Sequence, residues 1–184
     1  MLKIISFTSS MLLLGSSLSF GAEYHVHNKI TSAQFTANTI SQPARGVMNR
    51  MTGKLVFEEN NFSAFKALIH IDVNSIFTTT QSSFPGCLDR QKHPHMILEL
   101  TSATAVDSKH FVANGTLQIN GVKKPLELNF TFDQIYTHIP PGDQTELDLY
   151  ARSIKPIVLL DFGVSCGEVS SLQIDQLSLY GLLN

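Results

Sequence analysis

From Glu23 to the C-terminus, apolar and polar residues alternate in short runs that are rich in β-branched and aromatic types. A period of two residues places alternate side chains on opposite faces of an extended strand, and the spacing of an amphipathic helix is nearly absent. The pattern predicts an all-β chain of about eight strands, each with one apolar face. The runs are Ala33–Ala37, Leu55–Phe57, Ala67–Ile71, Met96–Leu100, Leu117–Ile119, Leu126–Phe132, Leu147–Leu149 and Leu172–Ile174.

Turn-forming residues separate these runs. Asn120-Gly121 lies between two alternating runs, and this dipeptide favours the two-residue turn of a hairpin, so the flanking strands are predicted to pair antiparallel. Residues 77–93 contain Gly, Pro and Cys without a clear period, and residues 133–145 are expected to form a long loop. Neither stretch has the character of a domain linker, so we predict a single domain.

Many short strands with one apolar face can form either a sandwich or a closed barrel, and periodicity does not choose between them. A barrel removes exposed strand edges, and a barrel of about eight strands can hold one small ligand. A binding function is therefore compatible with the pattern without being required by it.

The N-terminus has the pattern of a secretory signal peptide. Lys3 carries a positive charge, residues 4–20 carry none, and the apolar centre Met11–Leu14 is followed by small residues as far as Ala22. This centre is shorter than the ~20 residues that a transmembrane helix needs. We predict a signal peptide over residues 1–22, a mature domain over residues 23–184, and a periplasmic or secreted protein without a stable membrane span.

Charge and cysteine content narrow the range of partners. The formal net charge is −2, without a basic cluster, which offers little to the phosphates of nucleic acid. Cys87 and Cys166 are the only cysteines. In an oxidising compartment they can form one disulfide, or they can remain unpaired as two small hydrophobic side chains. A homodimer is compatible with the sequence.

One segment carries a family resemblance. The run from Gly115 to Leu128, GTLQINGVKKPLEL, resembles the G-x-L-x-x-x-G-V-x-K-P-x-x-L segment of the YceI-like family of exported proteins. The resemblance implies a lipocalin-like antiparallel barrel of eight strands, with an isoprenoid or fatty-acyl molecule in an apolar tunnel, no cofactor and no catalysis. Further matches follow in the same order along the chain: Tyr24, Ser32–Phe35, Gly53–Phe57, Ile71–Ile76, His93-Pro94 and Asp161–Gly163.

The chain also departs from the family pattern. His27 stands where members usually carry Asp, and Thr31 where they carry His. Residues 79–90 contain a Pro-Gly break and replace a charged short helix of the family. Head-group recognition by that helix is not carried over to this chain, so the resemblance leaves the identity of the lipid open.

The candidate ligand-binding residues are the apolar positions predicted to face the barrel interior. The same residues can instead fill a packed core, and volume discriminates, because a pocket for a drug-sized molecule needs roughly 300 Å³. Residues 77–93 are the candidate mouth or lid. The candidate positions are Phe35, Leu55, Phe57, Ile69, Ile71, Leu98, Leu117, Leu128, Phe130, Phe132 and Leu149.

Two alternatives to lipid binding remain. His25 and His27 share one strand face and His93 and His95 form a second close pair, so a metal-binding periplasmic stress or carrier protein would bring the four together. The other alternative is a barrel with a filled interior that acts through its outer surface. An enzyme is not expected, because no Gly-x-Ser-x-Gly elbow or phosphate-binding loop occurs.

Overall fold

The computed structural model describes residues 21–40, 42–79, 83–137 and 145–183, without the side chains of 133–137. Within these ranges the strands form one sheet, and short 3₁₀ turns span Phe62–Ala64, Val73–Ser75, Phe84–Cys87 and Leu159–Phe162. The strands are β1 (Ala22–Val26), β2 (Ser32–Thr39), β3 (Ala44–Met48), β4 (Met51–Phe57), β5 (Lys66–Asp72), β6 (Ile76–Thr78), β7 (His95–Ala105), β8 (His110–Ile119), β9 (Val122–Thr137), β10 (Thr145–Ser153), β11 (Ile157–Val158) and β12 (Val169–Leu183).

The sheet closes on itself as an antiparallel barrel. The ring runs β1-β4-β5-β7-β8-β9-β10-β12, and β12 pairs again with β1. This confirms the predicted eight-stranded barrel. Strands β2, β3 and β6 lie outside this ring of eight: β2 pairs with β12, β3 pairs with β2, and β6 pairs with β3. They lengthen the part of the barrel wall that β1, β4 and β5 form.

The Asn120-Gly121 hairpin is confirmed. Asn120 and Gly121 have φ angles of 47° and 81°, the left-handed region that a two-residue hairpin turn requires and that Asn and Gly adopt most readily. Ile119 pairs with Val122, and the β8–β9 ladder continues from there to His110 and Thr131.

The prediction of a long loop over residues 133–145 is wrong for the first part of this range. Strand β9 continues to Thr137, which pairs with Thr145 at the start of β10. The register shifts between Asp148 and Leu149, where β9 contains one extra residue that interrupts its alternation. The ladder between β9 and β10 continues on both sides of this irregularity. Residues 138–144 lie outside the described part of the chain.

The eleven candidate positions all face the interior, and none is more than 6% exposed. Alternation along each strand therefore orients them as the pattern predicts. Their role in binding a ligand remains a prediction.

The predicted signal peptide lies almost wholly outside the described residues, which begin at Gly21. Ala22, the last residue assigned to it, pairs with Phe57 as the first residue of β1. Across the ranges that the structure covers, no helix has the length and apolar character required to cross a bilayer.

Candidate functional site

One half of the barrel interior is filled by phenylalanine rings. Phe62 and Phe65 enter it from the connection between β4 and β5, and the rings pack with centroids 4.7–6.4 Å apart. Such spacings are typical of stacked and edge-on aromatic pairs in a close-packed core. This end of the interior is therefore closed. The aromatic cluster consists of Phe57, Phe62, Phe65, Phe111, Phe130 and Phe132.

The other half contains a small void lined only by apolar side chains. Its volume is about 20 Å³, about the space of one water molecule. A pocket for a drug-sized ligand needs roughly 300 Å³, so the interior of this structure is packed rather than open. The lining consists of Ala33, Phe35, Met48, Met51, Ile71, Met96, Leu98, Leu117, Leu126, Ile157, Leu172, Ile174 and Leu177.

The eleven candidate positions divide into three groups. Phe35, Ile71, Leu98 and Leu117 line the void. Phe57, Phe130 and Phe132 belong to the aromatic cluster. The remaining positions line neither and are buried elsewhere in the core: Leu55, Ile69, Leu128 and Leu149.

The candidate ligand-binding residues did not include the methionines of the void. Met48 and Met51 stand on either side of the break between β3 and β4, and Met96 begins the buried face of β7. Methionine is unbranched and has three rotatable side-chain bonds, so it adapts to cavities of changing shape. Met96 begins a predicted alternating run, so the same pattern could have found it, whereas Met48 and Met51 belong to no predicted run.

Residues 83–93 close the end of the barrel next to the void. Phe84 is fully buried and packs edge-on against Phe35, with ring centroids 5.6 Å apart. Cys87 and Cys166 are joined by a disulfide, with Cα atoms 5.4 Å apart. The backbone N–H of Asp89 donates to Oδ1 of Asn120 at 3.1 Å. Of the segment suggested as a mouth or lid, residues 83–93 lie over this end as a closed cover, and residues 80–82 lie outside the described part of the chain.

Polar groups do not line the void. Thr31, Ser75, Ser153 and Ser171 are the buried polar residues of the described ranges, and each has a hydrogen-bond partner. Tyr24 is also buried, and loss of solvation raises the pKa of its hydroxyl. The void can therefore accept only an apolar part of a ligand.

The four histidines proposed for a metal site do not assemble into one. No group of three or more His, Cys, Asp or Glu side chains suited to a metal ion is found among the described residues. His95 instead lies beside His70, with ring centroids 6.0 Å apart. The convergence that the metal-binding alternative requires of His25, His27, His93 and His95 is therefore wrong. Their separation follows from the sheet order, which places β4 and β5 between β1 and β7.

Comparison with known families identifies the barrel. The model of the YceI-like domain matches residues 24–176, which is most of the chain. The chain belongs to the YceI-like family. The resemblance carried by the segment around Asn120-Gly121 is thereby confirmed. No curated protein sequence matches this YceI-like chain.

Solved structures share the fold at low sequence identity. BcnA of Burkholderia cenocepacia is 17% identical, with a TM-score of 0.65 over 84% of this chain and 98% of BcnA. A polyisoprenoid binding domain from Saccharophagus degradans, implicated in plant cell wall breakdown, is 11% identical, with a TM-score of 0.60 over 88% of this chain and 98% of that domain. The YceI protein of Campylobacter jejuni is 17% identical, with a TM-score of 0.56 over 72% of this chain and 82% of its own.

Proposed function

We propose that this YceI-like chain is an exported, non-catalytic protein that holds an amphiphile of isoprenoid or fatty-acyl type inside its barrel. The observation that carries the proposal is the methionine-rich half of the interior, where a residual void is surrounded by apolar side chains alone. The polyisoprenoid binding domain of Saccharophagus degradans, which has the same fold, supports the class of ligand.

Binding requires the void to expand, because about 20 Å³ does not hold an acyl or prenyl chain. Met48, Met51 and Met96 are the residues that can change rotamer at least cost. Affinity then comes from removing the chain of the ligand from water, at about 25 cal/mol per Å² of apolar surface. Rearrangement of the interior opposes this gain, so we expect moderate rather than very tight binding.

The experiment is native mass spectrometry of the purified protein after delipidation and incubation with palmitate or geranylgeraniol. Uptake of either compound at one molecule per chain is expected. Met51→Ala enlarges the void and should strengthen binding, whereas the buried control Leu179→Ala lies outside the void and should not. Each substitution costs about 2–5 kcal/mol of folding stability, so circular dichroism of both variants belongs to the measurement. Failure of both wild type and Met51→Ala to bind either compound contradicts the proposal.

The small volume of the void favours a second candidate, a packed barrel that acts through its outer surface. This candidate predicts that neither compound binds and that Met51→Ala changes only stability. The mass-spectrometric experiment therefore separates the two functions.

Export to the periplasm or the medium is the cellular part of the proposal. Residues 4–20 without charge after Lys3 support it, as does the Cys87–Cys166 disulfide, because disulfides persist mainly in oxidising compartments. The intact mass of the protein recovered from cell fractions tests it. A mature N-terminus at Glu23 is expected, and a full-length chain that stays in the cytoplasm contradicts export.

A further inference from the structure

We propose that an opening in the barrel wall, between β9 and residues 155–162, is the entrance through which the apolar chain of the ligand reaches the void. The inference rests on the proposed function and assigns a route and a head-group site to it. The opening is defined here as the surface pocket between these two segments, and its volume is about 360 Å³.

The opening arises where the ladder between β9 and β10 ends. The last pair is Leu128 with Ser153, and the N–H of Ile154 makes one further bond to the carbonyl of Glu127 at 3.4 Å. The chain then leaves β9 and pairs with β12, where Ile157 lies opposite Leu172. Among the described strands, residues 122–126 of β9 consequently pair on the β8 side alone.

Pro125 keeps that edge of β9 unpaired. Ile119 and Val122 close the two-residue hairpin as a hydrogen-bonded pair, and such pairs alternate with non-hydrogen-bonded ones. The pair of Thr116 with Pro125 is three steps further along the ladder and is therefore non-hydrogen-bonded. The nitrogen of Pro125 thus faces the opening, where it has no hydrogen to donate to another strand.

Two side chains separate the opening from the void. Leu126 and Ile157 line both the surface pocket and the internal void. They are 9% and 6% exposed, so each is nearly buried at the floor of the pocket. Because both spaces are lined by these two side chains, rotation of Leu126 or Ile157 is the movement that would join the pocket to the void.

Within the residues that the structure describes, both ends of the barrel are closed, which makes the wall the accessible route. The aromatic cluster, with Phe62 and Phe65, fills one end. The cover formed by residues 83–93 closes the other and is held by the Cys87–Cys166 disulfide. Entry at either end requires a packed aromatic core or a covalently held segment to move, whereas entry at the opening requires only side-chain rotation.

The chemistry of the pocket indicates where each part of the ligand lies. Lys124, Glu127, Lys155 and Asp161 line the pocket together with the apolar floor. Because the pocket carries two cationic and two anionic side chains, it does not select a ligand head group of one charge. These side chains favour a head group that forms hydrogen bonds. The pocket has the size of a small-molecule site. The ligand is therefore an amphiphile with a small polar head in the pocket and its chain directed past Leu126 into the void.

The test is stopped-flow binding of cis-parinaric acid, a fluorescent fatty acid. Leu126→Ala opens the floor and should raise the association rate by about tenfold and the dissociation rate by less, because it also enlarges the void, whereas Leu126→Trp should lower both. The matched control is Leu147→Ala, a buried leucine outside the pocket and the void, which should change neither rate. Circular dichroism identifies any variant that has not folded, and reduction of the wild-type disulfide provides a measurement that needs no substitution.

The outcomes separate the route from the function. If wild-type protein binds the probe while the Leu126 variants change the rates no more than Leu147→Ala, the wall opening is not the entrance. If reduction of the Cys87–Cys166 disulfide accelerates binding, the covered end is the entrance and the proposal is also wrong. If the wild type binds no probe, the proposed function itself fails and this inference falls with it.

Discussion

Removal of the disulfide provides the most quantitative prediction for this fold. The bond closes a loop with a sequence separation of 79 residues. In the chain-entropy model a loop of that length lowers the entropy of the unfolded chain by about 15 cal/mol/K, which corresponds to about 4.5 kcal/mol at 25 °C. Domains of this kind have a total stability of about 5–15 kcal/mol. The Cys87→Ala/Cys166→Ala variant should therefore lose a large part of its free energy of unfolding.

The assay is equilibrium urea unfolding followed by far-ultraviolet circular dichroism, because the chain contains no tryptophan. We expect a loss of about 4.5 kcal/mol and a fall in Tm of about 13 °C for a domain of this size. Reductant should lower the wild type to the same level and leave the double variant unchanged, which is the internal control. A loss below about 1 kcal/mol in the double variant would refute the loop-closure reasoning.

Three further predictions concern single positions. Ser153→Ala leaves the N–H of Ile174, now 3.0 Å from the serine hydroxyl, without a partner, so urea unfolding should show a loss of about 1–3 kcal/mol, and no loss would contradict this role. The backbone N–H of Lys92 donates to Asp89 and lowers its pKa, so its stabilisation is present above the ordinary carboxyl pKa of about 4 and is lost as pH falls through the lowered value. Acidification should therefore destabilise the wild type more than Asp89→Asn, and equal pH profiles would contradict this. Phe111→Ala should lower the free energy of unfolding by about 3–5 kcal/mol. It should not strengthen the binding of palmitate, since Phe111 lies in the aromatic cluster and does not line the void. A gain in affinity would show that the aromatic half of the interior is connected to the void.

The all-β fold class could be predicted from the local alternation of apolar and polar residues. Alternation along a strand determines which side chains share a face, whatever the other strands do. That is why positions as far apart as Phe35 and Leu149 were correctly placed inside the barrel. The turn at Asn120-Gly121 was equally local, because its two residues adopt positive φ at little cost. Closure of the sheet was not local, and sequence reasoning reached it through the family resemblance rather than through periodicity.

The candidate site was predicted less well, because its members meet across the barrel. Phe35 and Leu55 have the same local signature, yet Phe35 lines the void and Leu55 does not. The difference depends on which residues lie opposite each of them. Met48 and Ile157 belong to short or interrupted strands with little periodicity, so no local signal placed them in the same lining.

The sequence by itself determined most of the long strands with their buried faces, the hairpin at Asn120-Gly121 and the membership of the YceI-like family. Tertiary structure alone decided that one half of the interior is filled by aromatic rings, that Cys87 meets Cys166, and that a surface pocket lies between β9 and Ile157. The physical reason is that the direction of a side chain in a strand and the formation of a turn depend on neighbouring residues along the chain. The volume of the interior, the pairing of cysteines and the position of a pocket depend instead on distances between residues far apart in sequence.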